Sequence, residues 1–128
     1  MEINVRYPSP LKLDTIIISE CRFKRSEEEL RSSRLDVSVK RNIEEHSPKQ
    51  YKITLELFIN DDAHLLELSV KCVACFTTEQ DNSELIEKNA IAIMFPYVRS
   101  YVSTMTSQPG MSPIVLPPMN IVAMFQEA

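Results

Sequence analysis

From Ala90 to Phe125 the chain reads AIAIMFPYVRSYVSTMTSQPGMSPIVLPPMNIVAMF, its most apolar stretch, with its only glycine (Gly110) and five of its eight prolines. Before Pro109 the apolar residues fall at helical spacing in two stripes. Ile86, Ala90, Ile93, Tyr97 and Tyr101 mark one; Ile91, Met94, Val98, Val102 and Met105 mark the other. A surface helix has a single apolar stripe against its core, so two stripes call for cover on both sides. The chain's own sheet can cover one. In so short a chain the nearest cover for the other is a second copy, and the stripe Ile91, Met94, Val98, Val102 and Met105 is assigned to that oligomer interface.

The helix is expected over residues 83–107, with Ser83 as its N-cap. Pro96 lies inside it, where a proline removes a donor and its ring crowds the carbonyl of Ala92. The expected result is a kinked helix, or two helical pieces meeting near Phe95. Gln108-Pro109-Gly110 ends it, because Gly110 can take positive φ.

A chain of 128 residues is one domain by size. Its net charge of −4 and pI near 5.2 argue against nucleic acid as a partner. No apolar run approaches the ~20 residues that span a bilayer, so no membrane insertion is expected. The start, MEINVRYPSP, has no hydrophobic signal core, which places the chain in the cytoplasm. Three cysteines suit a reducing compartment without structural disulfides.

In chain order, residues 1–10 form a proline-punctuated extended arm, and residues 11–78 hold four strands. Leu11 to Phe23 is the first, centred on Ile16-Ile17-Ile18; that run breaks alternation, so the strand is covered on both faces or bulged. Lys24 to Ser33 is a charged connector, either a solvated loop or a flap whose Leu30 closes over a neighbouring apolar surface. Leu35-Asp-Val-Ser-Val39 alternates and continues towards Ile43. After turn material from Glu44 to Lys49, Tyr51, Ile53, Leu55, Leu57 and Ile59 share one face. Asn60 to Ala63 makes a turn without glycine, and Leu66, Leu68, Val70, Cys72, Ala74 and Phe76 complete a hairpin. Strands grouped before helices indicate an α+β fold, a four-stranded antiparallel sheet with the long helix packed on one face. A short helix is expected over residues 119–126.

Catalytic patterns are scarce. A single glycine excludes the P-loop, the GxGxxG dinucleotide fingerprint and the nucleophile elbow. His46 and His64 lie in polar turns. Cys72-Val-Ala-Cys75 is formally a CxxC, but strand residues three apart point to opposite faces, and Cys21 is the only further thiol. Glu27, Glu28, Glu29, Glu44 and Glu45 are exposed charge runs with nothing apolar to raise a carboxyl pKa. No enzyme activity, metal or cofactor is expected. Apolar surface is plentiful instead: six methionines and the terminal cluster Met119, Ile121, Val122, Met124 and Phe125 suit adaptable binding.

The stretch from Ala92 onward resembles the SecB family of protein-export chaperones. It carries Phe95-Pro96-Tyr97 followed by Arg99, the Pro/Gly stop, the Leu116-x-Pro118-x-Asn120 motif and an apolar last helix. The order of four strands agrees, so the resemblance extends from about Leu11 to Phe125. It implies an ATP-independent holdase that keeps unfolded polypeptides competent for export or assembly. It also implies protomers paired through their sheets, and two such dimers joined by the long helices into a tetramer. Clients would lie in apolar grooves beside the last helix and the first connector, which places Leu30, Leu35, Val37, Met119, Val122 and Phe125 in the client groove.

Two departures qualify this. The chain runs only to Ala128, so the last helix is expected to be short and the polar tail that engages the SecA motor to be missing. Lys24 and Ser69 fall where export-type members carry acidic residues, while Glu20 retains one. Contact with SecA is therefore expected to be weak, and dedication to one partner such as an antitoxin is the alternative. An adaptor without general holdase activity is a further reading.

Overall fold

The computed structural model describes residues 2–28 and 34–126, with the side chains of Val122, Phe125 and Gln126 outside the description. Four strands form one antiparallel sheet: β1 (Leu11–Arg25), β2 (Leu35–Ser47), β3 (Gln50–Asp61) and β4 (Leu66–Thr78). Their spatial order is β1-β4-β3-β2. A long helix, α1 (Ser83–Met105), packs on one face, and a six-residue helical segment, α2 (Ile121–Gln126), follows.

Alternation builds the core. Ile53, Leu55, Leu57 and Ile59 of β3 and Leu66, Leu68, Val70, Cys72, Ala74 and Phe76 of β4 all turn to the helix side and are buried. Each large aliphatic side chain removed from water there contributes about 2 kcal/mol. The hairpin turns differ in detail from the sequence reading. β2 runs on through Ser47, so the first turn is tighter than a Glu44–Lys49 loop, and Lys49 accommodates it at φ 69°. The second lies after Asp61, whose Oδ1 accepts the N–H groups of Leu65 (2.7 Å) and Leu66 (3.1 Å). His64 takes the positive φ of 55° that a glycine would usually supply, and the Asp61 carboxylate holds the turn backbone around it.

β1 resolves the broken alternation by bulging. Its pairing with β4 slips between Leu13 and Thr15 and again between Ile18 and Glu20, leaving Asp14 and Ser19 as extra residues. Each bulge reverses the parity of the strand. Leu11, Leu13, Ile16, Ile18, Cys21 and Phe23 thereby all pair opposite helix-side residues of β4.

The cap of α1 is Asn82 rather than Ser83: its side-chain oxygen accepts the Leu85 N–H at 3.1 Å. The helix runs unbroken through Pro96. Both Pro96 and Ala92 are exposed, so water can satisfy the carbonyl that the proline leaves without a donor.

After α1 the chain turns back at Gly110, φ 78°. Thr106 at the helix end is buried; its hydroxyl donates to the Val102 carbonyl and accepts the Ile114 N–H, each at 2.8 Å. Ser103 Oγ donates to the Ile114 carbonyl at 2.9 Å. Both backbone groups of Ile114 are therefore held by hydroxyls of α1, and Leu116 is buried beyond them. Asn120 then caps α2, accepting the Ala123 N–H at 3.0 Å.

Candidate polypeptide-binding site

β1 and β2 lie on opposite edges of the sheet, and the connector between them is described at residues 26–28 and 34. Its first residue is anchored: Ser26 N–H donates to the Leu65 carbonyl at 2.7 Å. Arg25 reaches from the end of β1 to the Gly110 carbonyl at 3.1 Å, tying that end of the strand to the turn after α1.

Leu35 and Val37 open β2 just beyond it. They pair with Asp61 and Ile59, which puts them on the helix side of the sheet, yet each is 42% exposed. Farther along the same face Val39 and Ile43 are half-buried against the core. Cover over β2 thus fails at its first turns. On the folded-back segment Met119 is half-buried and Val115 is exposed. Leu30 lies outside the described residues, as do the side chains of Val122 and Phe125.

Between these apolar positions stands one strong polar tie. Arg41, also on the helix side of β2, donates from Nε to Glu87 Oε1 of α1 at 2.6 Å and from Nη1 to the Met124 carbonyl of α2 at 3.4 Å. Glu87 is buried. The pair joins β2, α1 and α2 at one point. It was not legible in the sequence, since its partners stand far apart and each is ordinary in its local pattern.

The interface assignment needs correction. Ile91, Met94, Val98 and Val102 are fully buried within the single chain, where they form the stripe of α1 that packs on the sheet. Met105 is half-buried. The outward side instead shows Tyr97, about half exposed, with Ile93 and Tyr101 partly covered. Tyr97 and Tyr101 line a shallow depression with Ile16, Ile17 and Ile18 of the edge strand β1. A hydrogen-bonded contact with the Cys21 thiol, helped by partial burial, holds the Tyr101 phenol above its usual range. The opposite face of the sheet has a concavity of about 470 Å³ lined by charges of both signs, among them Arg22, Lys24, Asp36 and Glu67 around Phe58.

The cysteines do not converge. Cys72 pairs opposite Leu55 on the helix side, and Cys75 opposite Lys52 on the other face. Burial pushes the Cys72 thiol up to about 11 from 9.0. In the unfolded chain that thiol ionises first, so stability is unaffected below about pH 9 and falls between there and about pH 11. Urea midpoints should decline over that window, and Cys72→Ala should flatten the decline relative to its own value at pH 7. No group of three or more His, Cys, Asp or Glu able to hold a metal occurs among the described residues.

The family model for preprotein translocase subunit SecB matches residues 19–128. The chain belongs to the SecB family. A solved structure of the Mycobacterium tuberculosis SecB-like chaperone, in complex with a ChAD peptide from the HigA1 antitoxin, shares the fold at TM-score 0.72 and 11% identity, covering 87% of this chain and 91% of that one. A Streptococcus agalactiae protein of unknown function superposes at TM-score 0.53 and 12% identity, over 84% of this chain and 96% of that one. A 41-residue stretch is 44% identical to an uncharacterized protein of Methanocaldococcus jannaschii; the match spans 32% of this chain and about a quarter (26%) of that relative's length. Membership of the SecB family makes this a chaperone-class chain, and no described helix is long and apolar enough to cross a membrane.

Proposed function

We propose that the chain is an ATP-independent holdase that binds unfolded, apolar polypeptide segments over the open start of β2 and the folded-back C-terminal segment. The observation that carries this reading is the exposure of Leu35 and Val37 on the face that the rest of the sheet keeps buried. In a SecB-family chain, an apolar face left uncovered at the start of β2 suits an extended segment of another protein. Leu30, Met119, Val122 and Phe125 belong to the same proposed groove. Export-competent clients, work in the cytoplasm, a dimer-of-dimers assembly and a weak contact with SecA are part of the same reading. In place of the buried stripe of α1, the Ile17–Tyr97 surface is proposed to pair copies.

A chaperone dedicated to one antitoxin is the second reading. What favours it is the structural similarity to a chaperone solved with an antitoxin peptide.

Leu35→Ser with Val37→Ser is the direct test. Both side chains are exposed, so the melting temperature should move by no more than ~3 °C. The delay that the protein imposes on refolding of several unrelated clients should be lost. An undiminished delay would place the groove elsewhere. Delay of one partner alone, with indifference to the others, would favour the dedicated reading.

A further inference from the structure

The N-terminal arm is the largest apolar feature that the fold and the proposed groove leave unused. Ile3, Val5 and Tyr7 are 78%, 57% and 81% exposed, and they alternate with Glu2, Asn4 and Arg6. Residues 2–10 have no regular structure in the protomer, and Arg6 lies over the Tyr7 ring at 5.4 Å. The base of the arm is tethered by the Thr78 hydroxyl, which donates to the Pro10 carbonyl at 3.0 Å. Pro8 brings no N–H and biases Tyr7 towards extended backbone, so any ladder made by the arm ends at Tyr7.

The sheet has a matching template. β2 is an edge strand, and among the described residues no backbone group bonds to its outer side. Its first turns alternate in the same way: Leu35, Val37 and Val39 on the helix side, Asp36, Ser38 and Lys40 on the other. An edge of this kind accepts an added strand.

We propose that the arm of a second copy adds antiparallel to the β2 edge, with Ile3 opposite Val39, Val5 opposite Val37 and Tyr7 opposite Leu35. Charge favours this direction, two opposite-charge pairs to one. In this register Glu2 meets Lys40, Asn4 meets Ser38 and Arg6 meets Asp36. A parallel alignment of the same apolar residues sets Asn4 against Asp36 and Arg6 against Ser38, and leaves only Glu2 against Arg34, an arginine already paired with Asp36. Asp36 already accepts from Arg34 at 3.1 Å, an exposed pair that contributes little and leaves an oxygen free to share.

Reach excludes the chain's own arm. Leu11 pairs with Thr78, whereas Leu35 opens β2 in the row of Leu66, at the other end of β4. Those rows are roughly 40 Å apart along the strands. Tyr7, four residues before Leu11, extends at most about 14 Å from it. The donor of the arm must be another molecule. The added arm would flank Leu35 and Val37, so it borders the proposed client groove; it does not rest on the holdase reading, because the peptide test reads backbone addition between copies and involves no client.

The test uses a fluorescein-labelled peptide of residues 2–10 and the full chain carrying Ile3→Ser, Val5→Ser and Tyr7→Ser, so that its own arms do not compete. Saturable binding is expected by fluorescence polarisation. Adding Asp36→Lys and Lys40→Glu to the protein should weaken it about tenfold, since two opposite-charge cross-strand pairs become repulsive. A peptide with Glu2→Lys and Arg6→Glu should restore it. No saturable binding overturns the proposal, as does binding indifferent to the charge reversal. Loss of binding in Tyr97→Ser with no effect at Asp36 and Lys40 would assign the arm to the helix side and also overturn it. Weakening that the swapped peptide fails to restore rules out the register and counts against it equally.

Discussion

Val98→Asp should unfold the protomer rather than release intact subunits from an assembly. Val98 is fully buried between α1 and the sheet, among Met94, Val102 and the buried strand residues. A carboxylate there either stays charged in an apolar core or takes up a proton at the expense of its hydration. The cost is about 5 kcal/mol, comparable to the whole stability of a small domain. Circular dichroism should show loss of the folded signal at room temperature. Tyr97→Ser, one residue away on the outward side, should leave the protomer folded, with a stability change within about 1 kcal/mol. Sedimentation then reports whether copies still associate. A folded, monomeric Val98→Asp would return the stripe Ile91, Met94, Val98, Val102 to the interface and invert the packing of α1.

Arg41→Met should lower stability by about 3 kcal/mol, because it leaves Glu87 buried without its cation. For a domain of this size the melting temperature should drop by roughly 10 °C. Coupling Arg41→Met to Glu87→Leu removes both charges, and the double variant should recover most of the loss. The recovery separates the penalty of an orphaned carboxylate from the net contribution of the pair, which is far smaller. A second readout follows the other bond. Met124 loses its donor in the single and the double variant alike, so hydrogen exchange across α2 should quicken in both, even where global stability has returned. An unchanged melting temperature in Arg41→Met would mean that Glu87 finds water or another donor when its partner leaves.

These two residues also mark where sequence reasoning reached its limit. The two stripes of α1 were legible as helical periodicity, but not which one faces inward. Met94 and Val98 are no more apolar on paper than Ile93 and Tyr97. The sheet drew its face from both: Ile86 and Ala90 of the first stripe are buried with Ile91, Met94, Val98 and Val102 of the second, while Tyr97 turns outward beside the exposed Pro96 and Arg99. Arg41 was likewise invisible. It alternates on β2 where an apolar residue would be expected, and its reason lies on α1 and α2.

By itself the sequence determined what depends on near neighbours. Alternation from Tyr51 to Ile59 and from Leu66 to Phe76 specified a hairpin, since side chains two apart share a face whatever surrounds them. Gln108-Pro109-Gly110 marked the turn that follows the helix, which itself ends at Met105 with Thr106 as its cap, and the alternation at Leu35 and Val37 placed both on a strand. Tertiary structure decided what depends on distant partners. Nothing within Leu11–Arg25 says that Asp14 and Ser19 are the residues to bulge; β4 selects them, because only those slips bring Leu13, Ile16, Ile18 and Cys21 onto one face. Nor does any local signal place β1 beside β4 and leave β2 as an edge. That order came from pairing across long stretches of chain, and it is what leaves Leu35 and Val37 exposed at the open end of the sheet.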